Sequence, residues 1–306
     1  MAQLLDINEA TPRESFKNSA TIQTVACSLC QDESRPLFQK QGCWIHECCS
    51  CQHRFAIPVT PDEHVSQTYD DKYFFGGGAG YNDYLSESEL LTAHGCRYAK
   101  LLSRFTTPSH ILDVGAAAGF VLKGLTDSGW TGSGIEPNAA MAQHAREVLK
   151  LDVRCDTLES MPCDKPFDVV SMIQVIAHFV DPHEATRQVS KLVASNGLCL
   201  VETWNVRSWS ARLFGQSWHE YSPPSVLQWY SPETLANLFA QHGFEAIARG
   251  RPSKKISVGH ARSLLQHGQE ASPMARIGAS LLKALPGKLT LPYPSEDLFW
   301  MVFRKC

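Results

Sequence analysis

The residues whose types and spacing carry chemistry begin with cysteine. Cys27-Ser28-Leu29-Cys30 and Cys48-Cys49-Ser50-Cys51 are two CxxC pairs separated by residues 31–47. A pair spaced by two puts both thiolates on one metal ion from a tight turn, and two such turns complete a tetrahedral site. The spacing reads as zinc held by Cys27, Cys30, Cys48 and Cys51. Four thiolates leave no open coordination position, so the predicted role is structural. Two disulfides are the alternative, and they need an oxidising compartment that nothing else in the chain supports. A redox CxxC wants a strand–helix context absent here. Cys43, His46, Cys49 and His53 lie close by, which leaves the second pair open to reassignment.

The second feature is Ile111-Leu112-Asp113-Val114-Gly115-Ala116-Ala117-Ala118-Gly119-Phe120, a hydrophobic strand running into a small-residue turn that opens a helix. Small residues let a ligand lie against the backbone. The next strand ends in Gly134-Ile135-Glu136-Pro137-Asn138, which places a carboxylate where a ribose diol is gripped. A diphosphate cradle wants G-x-G-x-x-G at the helix N-terminus. Here an acid, Asp113, precedes the turn instead, which suits a cationic ligand better.

These residues need a scaffold, and the chain predicts one. From His110 onward strands alternate with helices: His110–Val114, Thr131–Glu136, Val153–Cys155, Phe167–Ile173 and Leu198–Thr203 as strands, with helices over Phe120–Ser128, Ala139–Lys150 and from Asp181 to Ala194. This rhythm predicts an α/β fold with a doubly wound, mostly parallel sheet, ligands lying at the carboxyl ends of its strands. Ser231-Pro232 opens a further helix ended by Gly243, before strand Phe244–Gly250. Two more helices are expected at Ser257–Gln266 and Met274–Leu285, and a last strand at Leu298–Phe303. Ahead of the sheet, Ser86-Glu87-Ser88-Glu89 reads as a capping box for a helix that Pro108 closes. The predicted divisions are a partly disordered segment over 1–26, a zinc ribbon over 27–60, and a linker with a lid helix over 61–107. The main domain covers 108–306, with insertions at about 204–230 and 252–297.

Composition narrows the function classes. Of 306 residues, 43% are hydrophobic and 19% charged, as in a globular chain with a sizeable core. Lys+Arg 28 against Asp+Glu 31 gives a net charge of −3, little grip for a phosphate backbone. No apolar run approaches a membrane span and the first residues show no signal pattern, so the expectation is a cytoplasmic protein with reduced thiols.

Taken together, the motifs resemble those of class I S-adenosylmethionine-dependent methyltransferases, especially bacterial members with an N-terminal zinc ribbon. Ile111–Gly119 resembles the first motif of that family, Glu136 the ribose-binding acid, Cys155-Asp156-Thr157-Leu158 the adenine-contacting segment, and Phe167–Pro182 the fourth-strand motif. Tyr69–Tyr73 and Gly80–Tyr84 are similar to the lead-in of the ribbon-bearing members. The resemblance implies a Rossmann-like, seven-stranded sheet whose last strand runs antiparallel. It implies an S-adenosylmethionine site built from Asp113, Gly115, Ala117, Gly119, Glu136, Pro137, Asp156, Thr157 and Gln174, while Tyr81 and Tyr84 read either as a lid closing over that site from a hinge at Gly76–Gly80 or as aromatic anchors packing the linker helix onto the sheet. Two departures stand out: Ala117 replaces a common middle glycine, and Val226 and Gln228 occupy positions where relatives often carry histidines.

The reaction class so implied is methyl transfer to a small molecule or glycan, most plausibly at a hydroxyl, where a base must remove a proton. His178, just past the fourth strand, is the first candidate base, and His219 in Trp218-His219-Glu220-Tyr221 the second. Each has a plainer reading: His178 as a helix-entry residue bonding the backbone, His219 as a surface residue. Trp204, Trp209, Trp218 and Trp229 read either as a substrate pocket or as core. An RNA base methyltransferase and a non-catalytic interaction module are the rival functions.

Overall fold

The computed structural model describes residues 25–58, 64–69, 73–74, 84–253, 255–258, 286, 289–292 and 297–306. Expectations for 1–24, Gly76–Gly80, Tyr81 and most of the two helices after Ser257 lie outside them.

A seven-stranded sheet carries the fold. Its strands are β4 (His110–Val114), β5 (Thr131–Ile135), β6 (Asp152–Arg154), β7 (Phe167–Ile173), β8 (Val193–Trp204), β10 (Phe244–Gly250) and β13 (Leu298–Lys305), in the order β10-β13-β8-β7-β4-β5-β6. Pairings among β4 to β8 are parallel, β13 lies antiparallel between β8 and β10, and β11 (Lys255–Ser257) and β12 (Thr290–Pro292) form a separate antiparallel pair. Ile111, Leu112, Val169, Val170, Leu200 and Val201 are wholly buried, because both faces of a parallel sheet are covered by its crossover helices. Phe167 pairs with Val193 and Val169 with Leu198, so residues 194–197 loop out at the predicted Asn196-Gly197 turn.

Local chemistry sets the helix starts. In α4 (Ala139–Glu147) the Asn138 side chain accepts from the Met141 amide. In α5 (Pro182–Leu192) Asp181 accepts from His183 and Glu184, with Pro182 in the first turn. Ser231 and Thr234 form a capping box on α7 (Pro232–Ala240). The expected box at Ser86–Glu89 does not form. Tyr84–Glu87 is a 3-10 turn instead, and α2 (Ser88–Leu102) starts on Glu87 without a side-chain cap. Burial of the Tyr84 ring against Phe120 anchors this start in place of a cap.

The cysteine-rich segment forms β1 (Ser34–Lys40), β2 (Cys43–Cys48) and β3 (Arg54–Ala56), joined by a short helix α1 (His64–Thr68) to the lead-in. The sheet takes its fourth strand, β9 (Gln228–Trp229), from the tryptophan-rich segment far along the chain. Cys27, Leu29, Cys48 and Phe55 belong to the same buried cluster as Tyr230, Leu235, Phe239 and the sheet residues Val170 and Val201. The ribbon is therefore packed into the main core. Trp218 and Trp229 are fully buried, and Tyr221 bridges them by edge-on contacts at 5.2 and 5.0 Å, so both serve as core.

Candidate active site

The turn after β4 runs through three left-handed residues, Gly115, Ala117 and Gly119, and packs closely against Val175. Gly115 has φ +68°, and a Cβ there would stand 2.6 Å from Val175 Cγ2. Gly119, at φ +86°, opens α3 (Phe120–Asp127). Ala117 between them is also left-handed, at φ 47°, a conformation that costs a residue with a side chain. Ala117 holds it because its amide donates to Glu136 Oε2 at 2.9 Å.

Glu136 is the hub of this end of the sheet. Its Oε1 accepts from the Asn138 amide at 2.8 Å, and burial pushes its carboxyl up to about 7 despite the two amides. Each oxygen keeps a lone pair for a ligand hydroxyl. Asp113 is buried beneath the turn, its Oδ1 accepting from Ser171 Oγ at 2.7 Å, and burial likewise raises it to about 7. Pro137 accepts from the Cys155 thiol. Asp156 donates its amide to the Glu136 carbonyl, and its carboxylate accepts from the Thr157 amide at 2.9 Å, so that segment is tied to the Glu136 loop. Gln174 leaves β7 at φ 60°, its side chain donating to Glu202 Oε1 at 2.7 Å.

Past Gln174 stands His178. Its Nδ1–H donates to the Ser225 carbonyl at 2.5 Å, and Tyr69 Oη donates to the same carbonyl at 2.6 Å. The imidazole stands edge-on to Tyr69 and Trp204, centroids 5.4 and 6.0 Å away. Burial lowers its pKa, partly offset by the Ser225 and Gln174 carbonyls. A neutral ring with its proton on Nδ1 carries its lone pair on Nε2. The Tyr69 carbonyl accepts from Asn138 Nδ2 at 3.1 Å, which ties this cluster to the Glu136 loop. His219 lies elsewhere: its Nε2 pairs with Glu220 at 2.9 Å, and its ring meets Trp218. Among the described residues neither contact joins it to the Gly115 turn or to His178. Tyr84 is buried, stacked on Phe120 and edge-on to Phe74. Asp168, at the start of β7, accepts from the His110 amide.

Sequence reading missed Glu202, wholly buried on β8, which also takes hydrogen bonds from His94 Nε2 at 3.0 Å and from Tyr98. His94 and Tyr98 are one helical turn apart on α2, but nothing in the sequence pairs them with β8. Ser225 was equally invisible, since it acts through its backbone carbonyl.

This acid-backed turn at the carboxyl ends of a parallel sheet coincides with a match to the Methyltransferase domain family over residues 91–249, more than half of the 306-residue chain. The chain belongs to that family. The chain is 32% identical over 124 residues to the ubiquinone biosynthesis O-methyltransferase of Bradyrhizobium diazoefficiens, covering 39% of this chain and 47% of the relative. It is 32% identical over 147 residues to the protein of the same name from Rhodopseudomonas palustris, covering 45% and 58%. The chain thus spans about half the length of the curated relatives it matches. Its fold is similar to that of a chain in the Haloferax volcanii complex of the Trm112 methyltransferase activator with a methyltransferase (TM-score 0.52, 15% identity, 72% of this chain and 92% of that one). A methyltransferase from Bacillus halodurans gives TM-score 0.50 at 14% identity, covering 69% and 98%.

The four sulfurs of Cys27, Cys30, Cys48 and Cys51 lie within 4.8 Å of one another. Cys27–Cys51, Cys30–Cys48 and Cys30–Cys51 are 3.7, 3.4 and 3.6 Å apart. Tetrahedral thiolates at the usual zinc–sulfur bond length sit about 3.8 Å apart, so the donor set fits that ion. The Leu29 and Cys51 amides donate to Cys27 and Cys48 at 3.4 Å, which stabilises thiolates. The hydrogen bond from Cys51 leads in holding Cys27 down at about 5, against the opposing effect of burial. Cys43 and His46 are buried on β2 and Cys49 is exposed, all outside this cluster. No described helix is long and apolar enough to cross a membrane.

Proposed function

We propose that the protein transfers a methyl group to a hydroxyl of a small molecule or glycan, with His178 as general base and a structural zinc on Cys27, Cys30, Cys48 and Cys51. The observation that carries this reading is the bond from His178 Nδ1–H to the Ser225 carbonyl, which leaves the ring's lone pair on Nε2. When bound, S-adenosylmethionine supplies an activated methyl on a sulfonium. The chain's own residues align and deprotonate. Glu136 would hold the ribose hydroxyls, Asp156 and Thr157 would hold the adenine, and the Gly115–Gly119 turn would hold the rest of the ligand. His178 Nε2 receives the acceptor's proton, and the Ser225 and Gln174 carbonyls steady the imidazolium that forms. The relatives' name, ubiquinone biosynthesis O-methyltransferase, supports a small-molecule hydroxyl. Eleven unpaired thiols support a reducing, cytoplasmic setting.

The test is methyl transfer from radiolabelled S-adenosylmethionine to a panel of phenolic and sugar hydroxyls. His178→Ala should lower the turnover number about 10²–10⁴-fold on any acceptor used. S-adenosylhomocysteine should bind the variant as it binds wild type. A variant with full turnover would remove His178 from the chemistry. Because burial lowers the His178 pKa, the acid limb of the rate should fall below the ordinary histidine range.

A further inference from the structure

One buried amide joins the cysteine ribbon to the His178 loop. Gln228 is 1% exposed. Its Oε1 accepts from His53 Nε2–H at 2.8 Å and from Ser28 Oγ–H at 2.9 Å. Its Nε2 donates to the Phe179 carbonyl at 3.2 Å, with the Val180 carbonyl at 3.5 Å. Ser28 lies inside the first CxxC turn and His53 follows the second. Phe179 is the residue after His178. A single side chain therefore spans both metal-binding turns and the backbone that carries the candidate base.

The main chain repeats the connection. The Leu227 carbonyl accepts from the Ala56 amide of the ribbon at 2.8 Å, while the Leu227 amide donates to the Ala177 carbonyl at 2.9 Å. Residues 225–228 thus form a rung with the ribbon on one side and residues 177–179 on the other. Ser225, which receives His178 Nδ1–H, begins that rung. An apolar residue would fill the position of Gln228 without needing four polar partners. The amide there is matched to the two turns through its oxygen and to the Phe179 and Val180 carbonyls through its nitrogen, so both of its polar atoms are paired in a buried setting.

We propose that Gln228 is a positioning residue through which the ribbon fixes the orientation and tautomer of His178, an inference that rests on the reading of His178 as the base. With the rung in place, Nδ1–H meets the Ser225 carbonyl and the lone pair stays on Nε2. With it loosened, the imidazole relaxes toward the Nε2–H form that unconstrained histidines favour, and Nε2 no longer accepts a proton.

The experiment reads the tautomer directly and needs no acceptor substrate. Protein with ¹⁵N-labelled histidine, purified with zinc, gives long-range ¹H–¹⁵N imidazole spectra at mildly alkaline pH, with His178 assigned from its absence in His178→Gln. Wild type should show one Nδ1–H tautomer for His178. Gln228→Met, similar in volume but without the amide, should show a mixture dominated by Nε2–H, while zinc content and S-adenosylhomocysteine affinity stay as in wild type. Ser28→Ala should shift the population the same way by less. Should Gln228→Met fail to fold, Gln228→Asn, one methylene too short for both sets of partners, gives the same reading. An unchanged Nδ1–H tautomer in the folded Gln228 variant, or its absence from wild type, overturns the proposal. A His178 that proves idle in methyl transfer leaves the tautomer result untouched, so the two readings fail separately.

Discussion

At the scale of the residue, Glu136 shows what the sequence could carry and what it could not. Its place after the second strand of the main sheet was legible, because the turn and the strand end follow one another in a βαβ unit. Its charge state was not, because that depends on burial. Burial raises its carboxyl from 4.5 to about 7, a difference of about 3 kcal/mol. The folded protein holds this proton more tightly than the unfolded chain does. The contribution to stability is therefore complete below about pH 4.5 and lost as the pH rises through about 7. On the proposed reading of Glu136, ribose hydroxyls would donate to the ionised form and offset that loss. S-adenosylhomocysteine should accordingly raise the unfolding temperature more above pH 7 than below it. In Glu136→Gln that pH dependence should flatten and affinity should fall. Equal ligand shifts across pH in wild type would mean that Glu136 does not take the ribose.

At the scale of the element, the tightest fit is between α2 and α3. A Cβ on Gly95 would stand 2.1 Å from the Val121 carbonyl oxygen, and one on Gly124 2.1 Å from the Thr92 carbonyl oxygen. The two backbones touch, and only glycine permits it. Since α3 opens at Gly119, this crossing also sets where the cofactor turn lies. Gly124→Ala should destabilise the protein by about 1–3 kcal/mol or more by forcing the helices apart. It should weaken S-adenosylhomocysteine binding as well, measured by denaturant unfolding and calorimetry. A variant destabilised with unchanged affinity would separate the crossing from the turn. Helical spacing at Tyr98, Leu101 and Leu102 made α2 readable, but nothing in it marked Gly95 as a contact point. Its start was misread because the Ser86–Glu89 pattern predicts a cap from local chemistry alone. Packing of Tyr84 on Phe120 set that start instead.

At the scale of the whole molecule, the ribbon and the main domain share a core and a sheet. Arg54 on β3 donates to Tyr221 and pairs with Glu47, which also pairs with Arg35, so the edge of the ribbon is locked to the tryptophan-rich segment. Replacing Cys27 and Cys30 with Ser should remove the metal. The loss should lower the unfolding temperature of the whole protein in one transition, followed by tryptophan fluorescence because Trp218 and Trp229 are buried beside that edge. Metal-free protein in which the tryptophan signal unfolds at the wild-type temperature would show that the two parts are independent.

The sequence by itself determined the strand–helix rhythm, the cofactor turn with its acid, and the grouping of Cys27, Cys30, Cys48 and Cys51. Each is fixed by periodicity or by close spacing along one short stretch of chain. Only the tertiary structure decided that His178 bonds the Ser225 carbonyl, that Gln228 meets Ser28 and His53, and that β9 completes the ribbon sheet. Those depend on groups brought together from remote positions: Gln228 with Ser28 and His53, Ser225 with His178 and Tyr69, Glu202 with His94. Such pairings have no local signature, because a backbone carbonyl or a buried amide acquires its role only when folding removes water from both partners.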